Sequence, residues 1–346
     1  MRWYIEKGPE SDVVISSRVR LARNFTEYPF PFRMDRNQRH QIIKTITDNI
    51  KNSDNDIINK LMYVDMQSIT PIDRQAMVER HLISPELAQS EQECGALVSK
   101  DERISIMLNE EDHLRIQCMF AGMQLQEAWK LCSSIDDFLG EKIDFAFDKA
   151  YGYLTCCPTN IGTGMRASVM LHLPGLAMSG YIKSILEACS KIGIAVRGLY
   201  GENSEAMGNM FQISNQVTLG QNEEEITSNL TNIIRQIIEQ ERNIRQDMRK
   251  RNGLKFEDSV FRALGILSSA RVITTDECLK LLSNVRMGVN MGIIDNINIE
   301  TLNEIMLAIQ PATLQKSVGR PLEPEERDAV RAMTVRDKIL KSFNAN

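Results

Sequence analysis

Arginine side chains near the start of the chain are spaced for phosphate binding. In the segment 16–23, SSRVRLAR, Arg18 and Arg20 stand two residues apart in a stretch with the pattern of a strand. Such side chains point to one face, so both guanidinium groups would share a surface while Val19 and Leu21 face the core. Guanidinium forks bind phosphate oxygens bidentately and keep their charge. The segment predicts a triphosphate site, and its alternative is an ordinary exposed strand face.

An acidic cluster lies between two further predicted strands. The segment 109–115, NEEDHLR, combines three acids with His113 and Arg115. An ordinary hairpin turn would favour Asn-Gly or Asp-Gly, so turn chemistry does not explain the acids. The cluster is either part of a reactive site or a solvated polar turn.

A loop of cysteine and glycine residues occupies the segment 155–167, TCCPTNIGTGMRA. It has the formal GxGxxA spacing of a dinucleotide site. We reject that interpretation, because a Rossmann loop opens into a helix and the residues that follow here, SVMLHL, have a strand pattern. We expect a flexible glycine loop beside Cys157, with Arg166 as a further phosphate ligand. The alternative for Cys157 is a buried structural thiol.

A second pairing of arginine with an acid ends another predicted strand. The segment 197–202, RGLYGE, contains Arg197, Gly198 and Glu202. His81 stands alone in the segment 79–85, ERHLISP, and taken singly it is weak evidence for a site.

The elements that must position these residues indicate two domains. Up to about residue 219, short apolar runs suited to strands alternate with helical patterns, and RISIMLN is followed by LRIQCMF with no helix between them. Such neighbours must pair as hairpins, so we predict an α+β fold with an antiparallel sheet flanked by helices. A long helix is predicted to end at Asn252 and Gly253, after which only helical patterns remain. The predicted domains are 1–252, which is catalytic, and 253–346, which is all-α.

Composition excludes several classes of protein. The 346 residues carry a net charge of −5, which argues against direct binding of nucleic acid. No stretch has the length and apolar character of a membrane span or a signal peptide, so we expect no membrane association and a cytoplasmic location. The seven cysteines are scattered without a CxxC pair, which makes disulfide frameworks and zinc clusters poor interpretations.

Taken together, these stretches resemble the ATP:guanidino phosphotransferase family, which includes the creatine and arginine kinases. The resemblance rests on SxRxR, NEEDHxR, CPTNxGTGxR and RGxxGE in this order, and it covers roughly residues 12 to 220. It implies ATP as substrate and Mg²⁺ on the phosphates without a cage of protein ligands, because Mg²⁺ commonly takes phosphate oxygens and water. The residues that it places at the nucleotide are Ser17, Arg18, Val19, Arg20, His81, Arg115, Arg166, Ala167, Ser168, Val169, Met170, Arg197 and Gly198.

The resemblance also implies a guanidinium as the phosphate acceptor. A guanidinium has a pKa of about 12.5 to 13.8, so at pH 7 its neutral form lies about 8 kcal/mol uphill. Two carboxylates that clamp the group can align a nitrogen while one of them removes a proton. We assign Glu111 as the base and Glu202 as its orienting partner. Cys157 would lie beside the same guanidinium as a thiolate stabilised by nearby cations.

The helical region at the C-terminus is similar to that of the bacterial branch of the family that phosphorylates arginine side chains of proteins. Members acting on small phosphagens have a helical domain before SxRxR, whereas here that motif begins at Ser16. The segment 327–332, RDAVRA, resembles the phosphoarginine-binding motif of the bacterial branch, and it predicts a regulatory site. Its residues are Arg327, Asp328, Arg331 and Ala332. The alternative is a solvated helix face.

For that branch the resemblance implies a stress-response role. The implied partners are protein substrates, a zinc-binding activator protein, a heat-shock repressor and a Clp-type protease, and a homodimer is implied through the helical domain. Two other functions remain open: a kinase for free arginine, and a catalytically silent adaptor that binds phosphoarginine or nucleotide. The adaptor would require the loss of key side chains, yet Glu111, Glu202, Cys157 and the five arginines are all present.

Overall fold

A single antiparallel sheet forms the centre of the molecule. The structure is a computed structural model that describes residues 2–198 and 207–344. Eight strands of the described chain form the sheet in the order β2-β3-β4-β5-β1-β8-β10-β9, and β6 and β7 form a small separate ribbon. The strands are β1 (Val14–Arg23), β2 (Met62–Asp65), β3 (Gly95–Val98), β4 (Ile104–Leu108), β5 (Leu114–Ala121), β6 (Phe147–Asp148), β7 (Gly152–Tyr153), β8 (Met165–His172), β9 (Ile194–Gly198) and β10 (Met210–Asn215).

Helices cover one face of this sheet. Val19 and Leu21 of β1 are fully buried in a core that also contains residues of α1, α4 and the first half of α7, while Arg18 and Arg20 point to the other face. This alternation follows from the two-residue period of a strand. The helices are α1 (Arg36–Lys51), α2 (Pro71–Glu79), α3 (Pro85–Gln89), α4 (Leu125–Gly140), α5 (Pro174–Met178), α6 (Ile182–Lys191), α7 (Glu223–Ser269), α8 (Thr275–Asn290), α9 (Ile299–Ala308), α10 (Pro311–Val318) and α11 (Pro324–Asn344).

The predicted α+β class with an antiparallel sheet is confirmed. The runs RISIMLN and LRIQCMF form β4 and β5, which pair antiparallel with Ile106 opposite Ile116. The loop 155–164 leads into β8, not into a helix, as the rejection of a dinucleotide site required. Strands β2 and β3, at one edge of the sheet, were not predicted. No helix in the described part of the chain is long and apolar enough to cross a membrane.

Helix α7 differs from the sequence-based prediction. It does not end at Asn252 and Gly253 but continues to Ser269, with a local break at Asn252, whose φ is −139° and ψ is 39°. Asn and Gly often end helices. Here the chain resumes its helix because Phe256 and Val260, which follow the break, are buried in a second core built by α8, α9 and α11. Packing on both sides therefore overrides the local signal to stop.

Buried polar contacts hold α7 and α8 beside the end of β8. Glu241 of α7 accepts from the backbone N–H groups of Gly175 and Leu176, at 2.8 Å each, and from Arg245 at 2.6 Å. Next to this pair, the His172 ring contacts the hydroxyl of Ser283 at 2.8 Å.

A second junction lies at the other end of the helical region. The carboxylate of Glu79, the last residue of α2, accepts from the backbone N–H groups of Ala312 and Thr313 at 2.7 and 2.8 Å. Lys316 of α10 pairs with Asp73 of α2 at 2.6 Å. A carboxylate at a helix N-terminus satisfies donors that lack partners inside the helix. The two contacts fix α10 against the segment that leads into His81.

Candidate active site

Arginines from four strands gather on the face of the sheet opposite to α1 and α4. Arg20 on β1 lies directly opposite Arg166 on β8, and Arg115 on β5 lies opposite Ala22. Opposed residues on neighbouring strands have their Cβ atoms about 5 Å apart, and diagonal pairs are within reach of long side chains. A cleft of about 1000 Å³ lies above them. The cleft is lined by Arg18, Arg20, Arg115 and Arg197 and also by Arg80, whereas Arg166 is not among its lining residues.

The cluster has an excess of positive charge. Burial, together with Arg115 and Arg166, lowers the pKa of Arg18 to about 10. Burial and the neighbouring arginines also lower the pKa of Arg20 well below its usual range. The Nε atom of Arg20 is buried and has no hydrogen-bond partner among the described residues. Since a buried donor without a partner costs about 1 to 3 kcal/mol, the site is built for an anion with several oxygens.

Neighbouring side chains set the positions of two of the arginines. Arg18 donates to the hydroxyl of Ser168 at 3.3 Å and to the amide oxygen of Gln212 at 2.9 Å. Arg115 donates from one nitrogen to both carboxylate oxygens of Glu110, each at 2.8 Å. Gln212 was not recognised from the sequence, because only its place opposite Met170 on β8 brings it beside Arg18.

The side chains of the acidic turn 109–113 have two kinds of position: some are buried and hydrogen-bonded, and one is exposed at the cleft. Asp112 is buried, and one of its oxygens accepts from Asn24 and from the backbone N–H of Cys156, both at 2.7 Å. His113 is buried too; its Nδ1 accepts from the backbone N–H of Phe25 at 3.0 Å. Glu111 is exposed and lines the cleft. The turn therefore has buried anchors that present one free-standing carboxylate to the arginines.

Asp112 also brings the cysteine loop beside this turn. Because Asp112 binds the N–H of Cys156, the loop that carries Cys157 is held beside the acidic turn. Cys157 and Glu111 both counteract the lowering of the pKa of Arg166, which burial, Arg197 and Arg115 cause. Partial desolvation and then Asp112 raise the pKa of Glu111, while Arg115 acts in the opposite direction. Glu111, Cys157 and Arg166 thus form one electrostatic group.

The glycines of this loop are close-packed, contrary to the expectation of a flexible loop. A Cβ atom on Gly164 would lie 2.6 Å from a guanidinium nitrogen of Arg23, and one on Gly162 would lie 2.3 Å from the carbonyl oxygen of Thr218. Both residues have positive φ, at 65° and 111°. Glycine is needed here for close approach of the backbone and for its conformation.

The other residues predicted at the nucleotide fall into two groups. Those whose side chains line the cleft are His81, Ser168, Met170 and Gly198, with Gly198 contributing backbone only. Those whose side chains are buried away from it are Ser17, Val19, Ala167 and Val169. Ser17 donates to the carbonyl of Gly122 at 2.8 Å. Burial, with Arg18 and Arg20, lowers the pKa of His81 to about 4, so this ring is neutral at pH 7. Glu202 lies outside the described residues.

The predicted phosphoarginine motif lies on α11. Arg331 is 1% exposed and donates to the carbonyl groups of Ile309 and Ile273, both at 2.9 Å, and it pairs with Asp328. Ala332 is buried in the helical core. Arg327, one turn earlier, is partly exposed. The structure therefore occupies Arg331 with internal contacts and leaves Arg327 at the surface.

Comparison with known proteins identifies the class. Residues 41–244 match the family model for the ATP:guanido phosphotransferase C-terminal catalytic domain. A crystal structure of lombricine kinase has the same fold with a TM-score of 0.59 and 22% sequence identity, covering 70% of this chain and 69% of that one. The chain belongs to the ATP:guanido phosphotransferase family, as its motifs implied.

The C-terminal region and the full-length relatives identify the branch of the family. Residues 253–346 match the model for the protein-arginine kinase McsB C-terminal domain. The protein-arginine kinase of Bacillus subtilis is 46% identical over 342 residues, which are 99% of this chain and 94% of that protein. The protein-arginine kinase of Caldanaerobacter subterraneus subsp. tengcongensis is 48% identical over 332 residues, covering 96% and 98%. The chain is thus an enzyme of the protein-arginine kinase branch, which confirms the resemblance.

Proposed function

We propose that this enzyme transfers the γ-phosphate of ATP to arginine side chains of protein substrates. The observation that carries the proposal is the position of Glu111, an exposed carboxylate beside a cluster of half-buried arginines in which Arg20 has an unsatisfied donor. The cluster supplies a place for the phosphates, and the carboxylate faces the surface from which a polypeptide would approach. Family membership and the similarity to protein-arginine kinases support the same substrate class.

The phosphates of ATP would bind to the cluster of arginines. Arg20 is the first candidate, because its Nε lacks a partner among the described residues, and its neighbours on β5, β8 and β9 would surround the same oxygens. Mg²⁺ would bind to phosphate oxygens and water. The described residues contain no group of three or more His, Cys, Asp or Glu side chains that could hold a metal, so the phosphates themselves would have to provide its ligands.

Glu111 would remove the proton from the guanidinium as the phosphate is transferred. The pKa of Glu111 is raised towards the pH at which the enzyme works, and a pKa near the working pH makes a carboxylate a better general base. Arg166 and Arg115 would neutralise the charge that develops on the transferred group. Cys157 would hold the guanidinium from the other side, and Glu202 would complete the clamp.

The direct test is incubation of the purified chain with Mg-ATP and either a loosely folded protein or free arginine. We expect acid-labile phosphate on the protein and, by mass spectrometry, phosphoarginine at mapped positions. Phosphate only on free arginine would assign the chain to the second candidate, a small-phosphagen kinase. Absence of transfer to both, with and without an added zinc-binding activator protein, would favour the adaptor that binds phosphoarginine or nucleotide.

The wider role follows from the family and not from the geometry. We propose that the enzyme marks proteins for a Clp-type protease and modifies a heat-shock repressor in the stress response, in the cytoplasm and with the help of a zinc-binding activator. Phosphoarginine would bind at Arg327 and Arg331 and regulate the kinase. A cell extract lacking this activity should retain phosphoarginine-dependent substrates of the protease, and their normal turnover would contradict the proposal.

We also propose a homodimer formed through the helical region. Its support is a set of large apolar side chains exposed there, among them Leu254 at 83%, Phe261 at 52% and Val272 at 60%. Large exposed apolar surfaces commonly mark protein interfaces. Sedimentation over a wide concentration range should give the dimer mass for the parent chain and the monomer mass for Phe261→Glu. A monomer at every concentration would contradict it.

A further inference from the structure

The cleft above the arginines continues towards the helical region. Beside the cations its lining is rich in methionine from the sheet: Met119 on β5 lies opposite Arg18, and Met170 on β8 and Met210 at the start of β10 line it further along. The facing wall comes from the helical region. It consists of Asn303, Met306 and Leu307 on α9 and of Gln310, which follows α9.

The two ends of the cleft differ in chemistry. At one end Arg166 lies opposite Arg20 and close to Glu111 and Cys157, so the reacting phosphate belongs there. Met170, at the other end, lies opposite Ser16, four residues back along β1. At about 3.3 Å per residue this is about 13 Å away, a distance that a ribose and the inner phosphates can bridge. An ATP molecule that reacts beside Glu111 can therefore reach the methionines with its base.

We propose that the face of α9 carrying Met306 and Leu307 forms one wall of the nucleobase site. This inference rests on the proposed placement of ATP in the cleft. A purine base is flat and apolar on its faces with polar atoms at its edge. Thioether and branched aliphatic side chains suit the faces, and the amide of Asn303 suits the edge. The site for ATP is then shared between the sheet and the helical region.

Contacts around α9 hold this wall in a fixed position. The amide oxygen of Asn303 accepts from Arg286 at 2.7 Å, and the main chain of Met306 accepts from the Gln310 amide at 3.0 Å. The next helix, α10, is fixed by Glu79, which lies two residues before His81. His81 also lines the cleft. The helical wall and the His81 side of the cleft are therefore tied together through one carboxylate.

The test compares a ligand with a base to one without a base. Leu307→Ala and Met306→Ala are titrated with Mg-ADP and, separately, with magnesium tripolyphosphate, by calorimetry. We expect each variant to weaken Mg-ADP about tenfold, equivalent to about 1.4 kcal/mol, and to leave tripolyphosphate unchanged. Leu307 is half-buried and is not among the residues packed in the helical core, so the first variant preserves the fold. Met333→Ala is the matched control, since Met333 is 49% exposed on α11, outside the cleft.

The outcomes separate this inference from the placement of ATP itself. Unchanged Mg-ADP affinity in both variants would overturn the helical wall. An equal loss for both ligands would also overturn it, because α9 would then act on the arginines and not on the base. If the parent chain bound tripolyphosphate but Mg-ADP no better, the base would make no contact in the cleft. If it bound neither ligand, the proposed ATP site would fail first and this inference with it.

Discussion

Glu110 holds Arg115 in the cleft, with both carboxylate oxygens 2.8 Å from the same guanidinium nitrogen. The Glu110 side chain is 3% exposed, so water hardly screens the pair. The pair neutralises one cation of a cluster in which Arg115 also lowers the pKa of Arg18 and Arg20 by repulsion. Arg115 would therefore meet an incoming phosphate from a position that Glu110 has already set.

Glu110→Gln should lower the free energy of unfolding of the unliganded protein by about 3 kcal/mol, because it leaves a sheltered cation without its partner. It should also increase the stabilisation by Mg-ADP, since the anion then relieves more repulsion. Denaturant unfolding with and without Mg-ADP measures both quantities. Glu86→Gln, which alters an exposed carboxylate in the same cleft, is the control. Parent-like stability with a parent-like ligand effect would show that the pair contributes nothing.

Glu111→Gln should lose phosphoryl transfer by about 10²- to 10⁴-fold while Mg-ATP binding stays close to that of the parent. The reason is that the amide keeps the shape of the side chain but cannot accept the guanidinium proton. In the parent chain, transfer should fall as the pH drops through the raised pKa of Glu111. Single-turnover rates across a pH series, with calorimetric titration of Mg-ATP, measure these effects. Parent-like turnover in Glu111→Gln would exclude this residue as the base.

Acid should destabilise the protein below about pH 6.5 through two buried histidines. Burial lowers the pKa of His113 to about 4, and burial with Arg245 and Arg286 lowers that of His172 well below its usual range. In the unfolded chain each has a pKa of about 6.5, so unfolding takes up protons below that pH and stability falls by up to about 1.4 kcal/mol per pH unit for each histidine. Unfolding free energies at several pH values, compared between the parent and His172→Gln, should show a shallower slope in the variant. Identical slopes would contradict the role of His172.

The two arginines of α11 should respond differently to substitution. Arg331→Ala should lower the unfolding free energy by about 3 kcal/mol, because buried carbonyl groups and Asp328 lose a charged donor. Arg327→Ala should stay within about 0.5 kcal/mol of the parent and should reduce binding of a phosphoarginine peptide. Lys341→Ala, at an exposed position of the same helix, serves as the control. If Arg327→Ala and the double variant both retained peptide binding and kinase activity, the regulatory site would be abandoned.

The sequence predicted what depends on local pattern. Alternating residues in β1 placed Arg18 and Arg20 on one face, and the absence of a helix between β4 and β5 required antiparallel pairing. By the same alternation, every second side chain of the contiguous run 166–170 points into the core. The motif alone did not distinguish these buried residues from those that face the cleft. The two-residue period of a strand therefore decides which residues of a motif face the cleft and which are buried in the core.

Other features depend on contacts that are distant in the chain. Gln212 reaches Arg18 from a strand 194 residues away in sequence. Asp112 belonged to the acidic cluster, but its role as an anchor becomes visible only with Asn24 and Cys156 in place. Similarly, the signal to end α7 at Asn252 was sound locally and was overridden by burial of Phe256. A sequence pattern therefore predicts the chemical role of a residue better than it predicts which residues that residue contacts.

The continuity of α7 has a consequence for how the molecule can come apart. At 1.5 Å per residue its 47 residues would extend about 70 Å, and its two halves supply apolar side chains to two different cores. A chain cut at Asn252 would leave each piece with a frayed helix end and would separate His172 and Glu79 from their partners in the helical region. Unfolding of one core would therefore destabilise α7, on which the other core is also packed. We expect the two cores to unfold in one cooperative step.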